Sequence, residues 1–295
     1  MMTFERPEVL ELTLKKLLSQ TFPPEFILVV DNSFSKETGK LVEGMADGRI
    51  GYYSMGYNSG PAGAAKYGLQ KLSQMGFEWI YWGDDDNPPS DPGIFRKSFE
   101  GIEEIKKSGK VPGIFGGKGG YLNKYTGRLR SLANYELERA RFQEVDSVPG
   151  GHTLLVNSSV IKQGVLPNEE LFFGFEELDF CLRAKEKGFK IYIDAESWHQ
   201  IRVKANNNQP NYQWRDSAFG RPEFLWREYY SSRNLLVILF SQKYFTAFIY
   251  RFLVLGFKSI LGFKFGWKYG SENFKIQFKA VLDFIFKRFP RHSLS

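Results

Sequence analysis

The first two-thirds of this chain repeats one pattern: a short apolar run, an abrupt polar or glycine-rich stop, then a helix-like stretch. Phe26 to Val30 runs straight into Asp31-Asn32-Ser33. Ile50 to Ser54 leads into Asn58-Ser59-Gly60-Pro61-Ala62-Gly63 and a helical pattern through Met75. Glu78 to Trp82 is stopped by Gly83 and three consecutive aspartates, Asp84, Asp85 and Asp86. Such alternation specifies βα units and an α/β fold, a mostly parallel sheet flanked by helices. In open parallel sheets the ligand crevice lies beyond the carboxyl ends of the strands, so the three polar stops belong to one site.

Other elements follow from the same reasoning. Glu8 to Gln20, entered through Pro7, reads as an amphipathic helix. Val111 to Phe115, Thr153 to Val156 and Ile191 to Ile193 read as strands, and Glu176 to Lys187 as a helix closed by Gly188. Ala205 to Arg221, polar and rich in Asn and Gln, reads as a long loop. Pro222 to Phe289 reads as helices broken at Gly262, Gly266 and Gly270. The expected organisation is a catalytic domain over residues 1–221 and a helical C-terminal region over 222–295.

The charge is unevenly divided. The chain carries 40 Lys plus Arg against 33 Asp plus Glu, a net +7, yet the first 239 residues hold 30 basic and 31 acidic side chains. From Phe240 onward there are 10 basic and 2 acidic residues, together with 12 of the 28 phenylalanines. A basic, Phe-rich tail points to a membrane surface, an acidic partner or nucleic acid. No nucleic-acid-binding motif accompanies it, and the rest of the chain is slightly acidic, so nucleic acid is not expected. Leu235 to Phe257 is 23 residues long, and at about 100° per residue Lys243, Arg251 and Lys258 fall within a sector of about 80°. That geometry suits a helix lying in an anionic membrane interface; a helix packed on the catalytic domain is the alternative. The single cysteine, Cys181, permits no internal disulfide, and the first twenty residues carry Glu5, Glu8 and Glu11 with no long apolar run. The expected location is cytoplasmic, peripheral on the inner face of the plasma membrane.

The acidic residues carry the chemistry. Three adjacent carboxylates at the mouth of a buried strand repel one another, and a divalent cation such as Mg²⁺ or Mn²⁺, completing its shell with substrate phosphates, resolves the conflict. A solvated acidic turn before Pro88-Pro89 is the alternative. Asp31 projects from a strand end, where a turn or cap role competes with ligand contact. Asn58 to Gly63 can bring backbone N–H groups near a phosphate at a helix start. Glu176 and Glu177 sit at a helix N-terminus after an aromatic loop, a place for a general base, while Asp179 and Arg183 form an i, i+4 pair. His199 is an acceptable further metal ligand, or a structural histidine.

Six of these segments, in this order and spacing, resemble the family 2 glycosyltransferases, inverting enzymes of the GT-A fold, over about Thr3 to Asn234. Thr3-Phe4-Glu5-Arg6-Pro7 resembles the family's Thr-Tyr-Asn-Arg-Pro entry loop, with Glu5 in place of asparagine. Val29-Val30-Asp31 resembles the strand whose aspartate contacts the nucleotide base, and Asn58 to Gly68, including Gly60 and Lys66, the Asn-x-Gly-x-x-Gly segment. Asp84-Asp85-Asp86 resembles the Asp-x-Asp motif, which implies nucleotide and metal contacts for Asp84, Asp85 and Asp86. Gly150-Gly151-His152 resembles the loop near the donor sugar. Glu176-Glu177-Leu178-Asp179 resembles Glu-Asp-x-Asp, which maps the base onto Glu177 with Glu176 in reserve, and His199 falls where many members place a metal ligand. Tyr229-Tyr230-Ser231-Ser232-Arg233-Asn234 resembles a segment of the rhamnosyl- and galactofuranosyltransferase-like branch. Only Met1 and Met2 stand before Thr3, where the family has an apolar strand.

The resemblance implies transfer from a UDP- or dTDP-linked sugar to a hydroxyl of a glycan or lipid-linked glycan, with inversion, in bacterial surface polysaccharide synthesis. A homo-oligomer is compatible with it. A catalytically idle scaffold of a polysaccharide assembly and a basic nucleic-acid-binding protein are the alternatives.

Overall fold

The computed structural model describes residues 1–89, 91–151, 153–205 and 219–289. His152 and most of the polar stretch after Ala205 therefore lie outside the described residues. The chain opens with β1 (Met2–Thr3), α1 (Pro7–Leu18), β2 (Ile27–Asp31), α2 (Glu37–Met45), β3 (Ile50–Ser54), α3 (Gly60–Gln74) and β4 (Trp79–Trp82). Pro7 starts α1, and Leu10, Leu14 and Leu17 bury one face of it. β1 is only two residues long and forms one edge of a three-stranded sheet of order β1-β2-β3, pairing parallel with β2 so that Thr3 stands beside Asp31. β2 pairs parallel with β3 so that Asp31 stands beside Ser54. An isolated parallel bridge joins Met2 to Asp84. Thr3, Asp31, Ser54 and the aspartates after β4 are thus brought to one edge of the fold.

The middle of the chain builds a second sheet. α4 (Ile94–Lys107), β5 (Pro112–Gly116), β6 (Gly120–Leu122), β7 (Leu129–Ser131), α5 (Asn134–Leu137), β8 (Phe142–Glu144), β9 (Leu154–Asn157), α6 (Ser158–Lys162), α7 (Glu176–Glu186), β10 (Lys190–Asp194) and α8 (Ala195–Lys204) follow in order. Its strand order is β4-β9-β5-β10-β8. β5 and β10 are parallel, as the alternating pattern predicts, whereas β9 and β8 run antiparallel to their neighbours. Antiparallel entry is invisible in an apolar run such as Leu154 to Val156, because the run is the same read in either direction. β6 and β7 form a separate hairpin.

Three helices close the chain: α9 (Leu225–Ser241), α10 (Phe245–Leu261) and α11 (Trp267–Ile285). The single helix expected over Leu235 to Phe257 is broken between α9 and α10, where Lys243 takes a left-handed φ of 58°. Gly262 and Gly266 flank a 3-10 turn as expected, but Gly270 lies inside α11, pressed against Phe263. The expected basic sector is also reversed. Arg251 donates to the Gly127 carbonyl of the hairpin turn and Lys258 pairs with Glu228 of α9, so these cations face inward. Phe245, Ile249, Leu253, Phe257 and Ile260 of α10 are each more than half accessible.

The helices are not an independent appendage. Leu235, Ile238, Leu239 and Ala247 share a core with Leu122 of the hairpin and with Leu178 and Leu182 of α7. Ile238→Ala is therefore expected to cost about 2–5 kcal/mol, read as a lowered denaturant midpoint. A chain ending at Arg221 is expected to lose its cooperative thermal transition, since Leu122, Leu178 and Leu182 would face water.

Candidate active site

Of the three aspartates after β4, the middle one is the anchor. Asp85 is 1% exposed. Thr3 Oγ1 donates to its Oδ2 at 2.6 Å, Arg6 to its Oδ1 at 2.6 Å, and Thr13 Oγ1 to its backbone carbonyl at 2.5 Å. Burial raises the Asp85 carboxyl, and the Thr3 hydrogen bond and the Arg6 charge work against that rise. Both oxygens thus have partners inside the protein, and Arg6 and the buried Thr3 hold this carboxylate in place.

The flanking acids are differently placed. Asp86 is half exposed, with Arg6 as its ion-pair partner at 2.7 Å. Asp84 is pushed up to about 6, first by burial and then by the charges of Asp86 and Asp85. A third acid reaches the same point from α7. A side chain at Gly150 would collide with Glu177 Oε1, and its Cβ would lie 3.7 Å from Asp84 Oδ2. Glycine at position 150 is what lets Glu177 approach Asp84. Burial, then the Asp84 charge, raises Glu177 above the ordinary carboxylate range. Its neighbour Glu176 is 6% exposed and raised further, by burial and by Glu177, and its Oε2 has no hydrogen-bond partner among the described residues. Asp84, Glu176 and Glu177 thus form a set of crowded, buried carboxyls, each with its proton affinity raised above the ordinary carboxylate range.

The loop that carries Glu176 and Glu177 is held in a costly shape. Phe172 and Phe175 take left-handed φ values of 61° and 66°, and Gly174 one of 83°. The constraint comes from α9. Asn234 Nδ2 donates to the carbonyls of Leu171, Phe173 and Gly174 at 2.8–2.9 Å, and Arg233 donates to those of Glu170 and Leu171 at 3.1 and 2.9 Å. Both side chains are fully buried. Sequence reasoning finds the Tyr-Tyr-x-x-Arg-Asn segment but not this clamp; the available signal was a cation and an amide inside an otherwise apolar helix.

The remaining expected contacts are spread more widely. Asp31 is fully buried, accepting from the Ser33 backbone at 2.8 Å and from the Tyr52 hydroxyl at 2.8 Å, so it shapes the end of β2 with both oxygens engaged. Glu5 accepts from the backbone of Phe34 and Ser35 and from the Ser35 hydroxyl, bonds that hold its carboxyl below the ordinary range and tie the β1 and β2 loops together. Asn58 accepts from Gly60 N, and Gly60, with φ 69°, is pressed against the Phe172 carbonyl rather than left open toward a phosphate. Lys66 pairs with Glu169 at 3.1 Å, away from the aspartates. Gly151 meets Asn87, whose side-chain amide donates to its carbonyl. His199 does not join Asp84 and Asp86: it lies on α8 with Nε2 3.3 Å from Glu138 Oε1. No group of three or more His, Cys, Asp or Glu side chains able to hold a metal is found among the described residues.

Comparison with known proteins gives the site its setting. The sequence profile described as "Glycosyl transferase family 2" matches residues 1–164. The galactofuranosyltransferase GlfT1 of Mycolicibacterium smegmatis is 33% identical over 89 residues, 30% of this chain and 29% of that protein. The GalNAc(5)-diNAcBac-PP-undecaprenol beta-1,3-glucosyltransferase of Campylobacter jejuni is 28% identical over 205 residues, 64% of this chain and 60% of that one. The matches thus span less than two-thirds of either relative. The structure of S. aureus TarS 1-349 in complex with UDP-GlcNAc superimposes with a TM-score of 0.54 at 15% identity, covering 98% of this chain and 80% of that one. The fold is the expected GT-A type.

The clamp makes a prediction of its own. Asn234→Ala removes three hydrogen bonds from buried carbonyls and is expected to lower stability by about 2–4 kcal/mol, with faster amide hydrogen exchange concentrated in residues 170–178. An unchanged exchange pattern there would show that α9 does not hold the loop.

Proposed function

Because this chain belongs to glycosyl transferase family 2, we propose that it transfers a sugar from a UDP- or dTDP-linked donor to a hydroxyl of a glycan or lipid-linked glycan, with inversion. The observation that carries the reading is the convergence of Glu177 and Asp84 on Gly150 at the start of α7. Glu177, with its proton affinity raised by burial, is suited to accept a proton from the acceptor hydroxyl near neutral pH. Attack from the face opposite the departing diphosphate inverts the anomeric carbon, and no covalent sugar–enzyme intermediate is required. Glu176, its own proton affinity raised by burial and by the charge of Glu177, stands behind Glu177 with a buried oxygen that lacks a partner among the described residues.

The residues at the strand ends fit a hard divalent cation. Asp84 is pushed up to about 6 by burial and by the charges of Asp86 and Asp85, and Asp86 is accessible; one or two carboxylates with phosphate oxygens and water make the usual Mg²⁺ shell. When bound, Mg²⁺ or Mn²⁺ neutralises charge developing on the diphosphate. Arg6, half exposed and shared between Asp85 and Asp86, adds a cation at the same rim. The β1 and β2 loops, stapled by Glu5, form the wall for the nucleotide, with Phe34 73% exposed upon it. The names of the two relatives favour a role in bacterial surface polysaccharide synthesis.

A membrane surface completes the proposal. Phe245–Phe265 is long and apolar enough to cross a bilayer by length and composition, with a mean hydropathy of 1.4 and 22% of it buried. α10 nevertheless packs on α9 and α11, and its outer face is continuous with the exposed Trp267, Phe274 and Phe278. Lys243, Lys264, Lys268 and Lys275 are exposed around this face. An apolar surface with a basic rim suits the inner, anionic leaflet of the plasma membrane.

Glu177→Gln is expected to lower donor turnover by about 10²–10⁴-fold with an unchanged melting temperature; full turnover would remove the base assignment. Asp86→Asn and chelation should each suppress transfer, and activity indifferent to chelator would end the metal reading. The double change Leu253→Glu, Phe257→Glu should abolish co-sedimentation with phosphatidylglycerol vesicles while leaving transfer to a soluble acceptor intact.

A further inference from the structure

Between the β6–β7 hairpin, α8 and the inner faces of α9 and α10 lies a cavity of about 1730 Å³ that reaches Asn87 and Gly151. Those two residues follow directly on Asp86 and Gly150, so one end of the cavity abuts the acidic centre. The other end is cationic. Of the six basic side chains on its wall, Lys258 pairs with Glu228 and Arg130 with Glu136, Arg202 donates to Asn134 and Lys118 lies over the Trp198 ring. Arg128 and Arg251 have no carboxylate partner among the described residues. Arg251 is partly buried; it donates to the Gly127 carbonyl at 3.0 Å, and its Nε is buried without a partner. Burial lowers its proton affinity, and the charge of Arg128 adds to that effect.

The arrangement is built rather than incidental. The turn between β6 and β7 is fixed by Asn123, whose side chain accepts from Tyr125 N and Thr126 N and whose carbonyl accepts from Gly127 N. Gly127, with φ 61°, closes that turn against Leu239 and Arg251; a Cβ there would lie 2.7 Å from the Leu239 methyl and 3.1 Å from Arg251 Cγ. The turn thereby places Arg128 next in the chain to the carbonyl that Arg251 binds, and both arginines line the cavity. Two guanidiniums on one wall, one of them partly desolvated, repel unless an anion lies between them, and the planar guanidinium fork matches phosphate oxygens.

We propose that this cavity is the acceptor site and that it takes an acceptor bearing a phosphate or diphosphate ester, its anionic group bound by Arg128 and Arg251 and its sugar end reaching Gly151 and Asn87. The inference rests on the glycosyltransferase reading and specifies the acceptor class. A lipid-linked diphosphate and a phosphate carried by a soluble glycan share this chemistry, and the apolar tail separates them.

The test is calorimetric binding of farnesyl diphosphate and of inorganic pyrophosphate to the full chain, each with Mg²⁺ and saturating UDP present so that the nucleotide subsite is filled. Farnesyl diphosphate should bind alongside UDP, and Arg128→Gln and Arg251→Gln should each weaken it about tenfold or more with UDP affinity unchanged. Arg128 is exposed, so its variant keeps the test valid even where Arg251→Gln disturbs the hairpin. Tighter binding of farnesyl diphosphate than pyrophosphate assigns a lipid-linked acceptor; equal binding assigns a soluble phosphorylated one. Failure of both probes to bind beside UDP, or unchanged binding in both variants, overturns the inference alone. Failure of the wild type to bind UDP would instead overturn the donor reading beneath it.

Discussion

The structure depends on how the loop before α7 is held. Its backbone turns left-handed at two phenylalanines, a conformation that non-glycine residues adopt only under constraint. Asn234 and Arg233 supply that constraint by occupying the loop's carbonyls from α9. The same helix buries Ile238 and Leu239 against Leu178 and Leu182 of α7. One helix beyond the strand-bearing part of the chain therefore fixes both the entry and the packing face of the helix that begins with Glu176 and Glu177. The C-terminal region belongs to the active centre mechanically.

The acidic cluster shows a division of labour among like residues. Side-chain identity does not separate Asp84, Asp85 and Asp86, but partners do. Asp85 is drawn inward by Thr3 and Arg6, which uses one charge to anchor the turn. Asp84 remains beside Gly150 and Glu177, and Asp86 at the rim. With Asp85 compensated by Arg6, burial first and mutual repulsion second raise the proton affinities of Asp84 and the α7 glutamates. A group that must exchange a proton or accept a cation is best left in that strained balance.

The tail illustrates where sequence periodicity misleads. Lys243, Arg251 and Lys258 share a sector only if one helix continues through all three. Lys243 instead sits in the left-handed turn between α9 and α10. The two remaining cations point toward Gly127 and Glu228, leaving the apolar side chains outward. Amphipathicity was legible; which face met the protein was not, because a partly buried Arg251 becomes favourable only in the presence of a hairpin more than a hundred residues away in sequence.

The sequence by itself determined β2, β3, β4, β5, β9 and β10, their polar stops and hence the edge at which Asp31 and Asp84 stand, because apolar period and breaker residues are local properties; the short β1, β6, β7 and β8 carry too little of either to be read. Ile50 to Ser54 was legible to the residue, and the start of α7 at Glu176 equally so. Tertiary structure alone decided which carboxylates were spent on the scaffold. Asp31 is bonded to Tyr52, Lys66 to Glu169 and His199 lies near Glu138; none of these partners is visible in a motif. The antiparallel course of β8 and β9, the clamp by Arg233 and Asn234, and the placing of Arg128 and Arg251 on one cavity wall were likewise settled only by packing. The physical reason is common to all of them: hydrogen bonds and charges are satisfied by whatever the fold brings near, and long-range proximity is not written in local pattern.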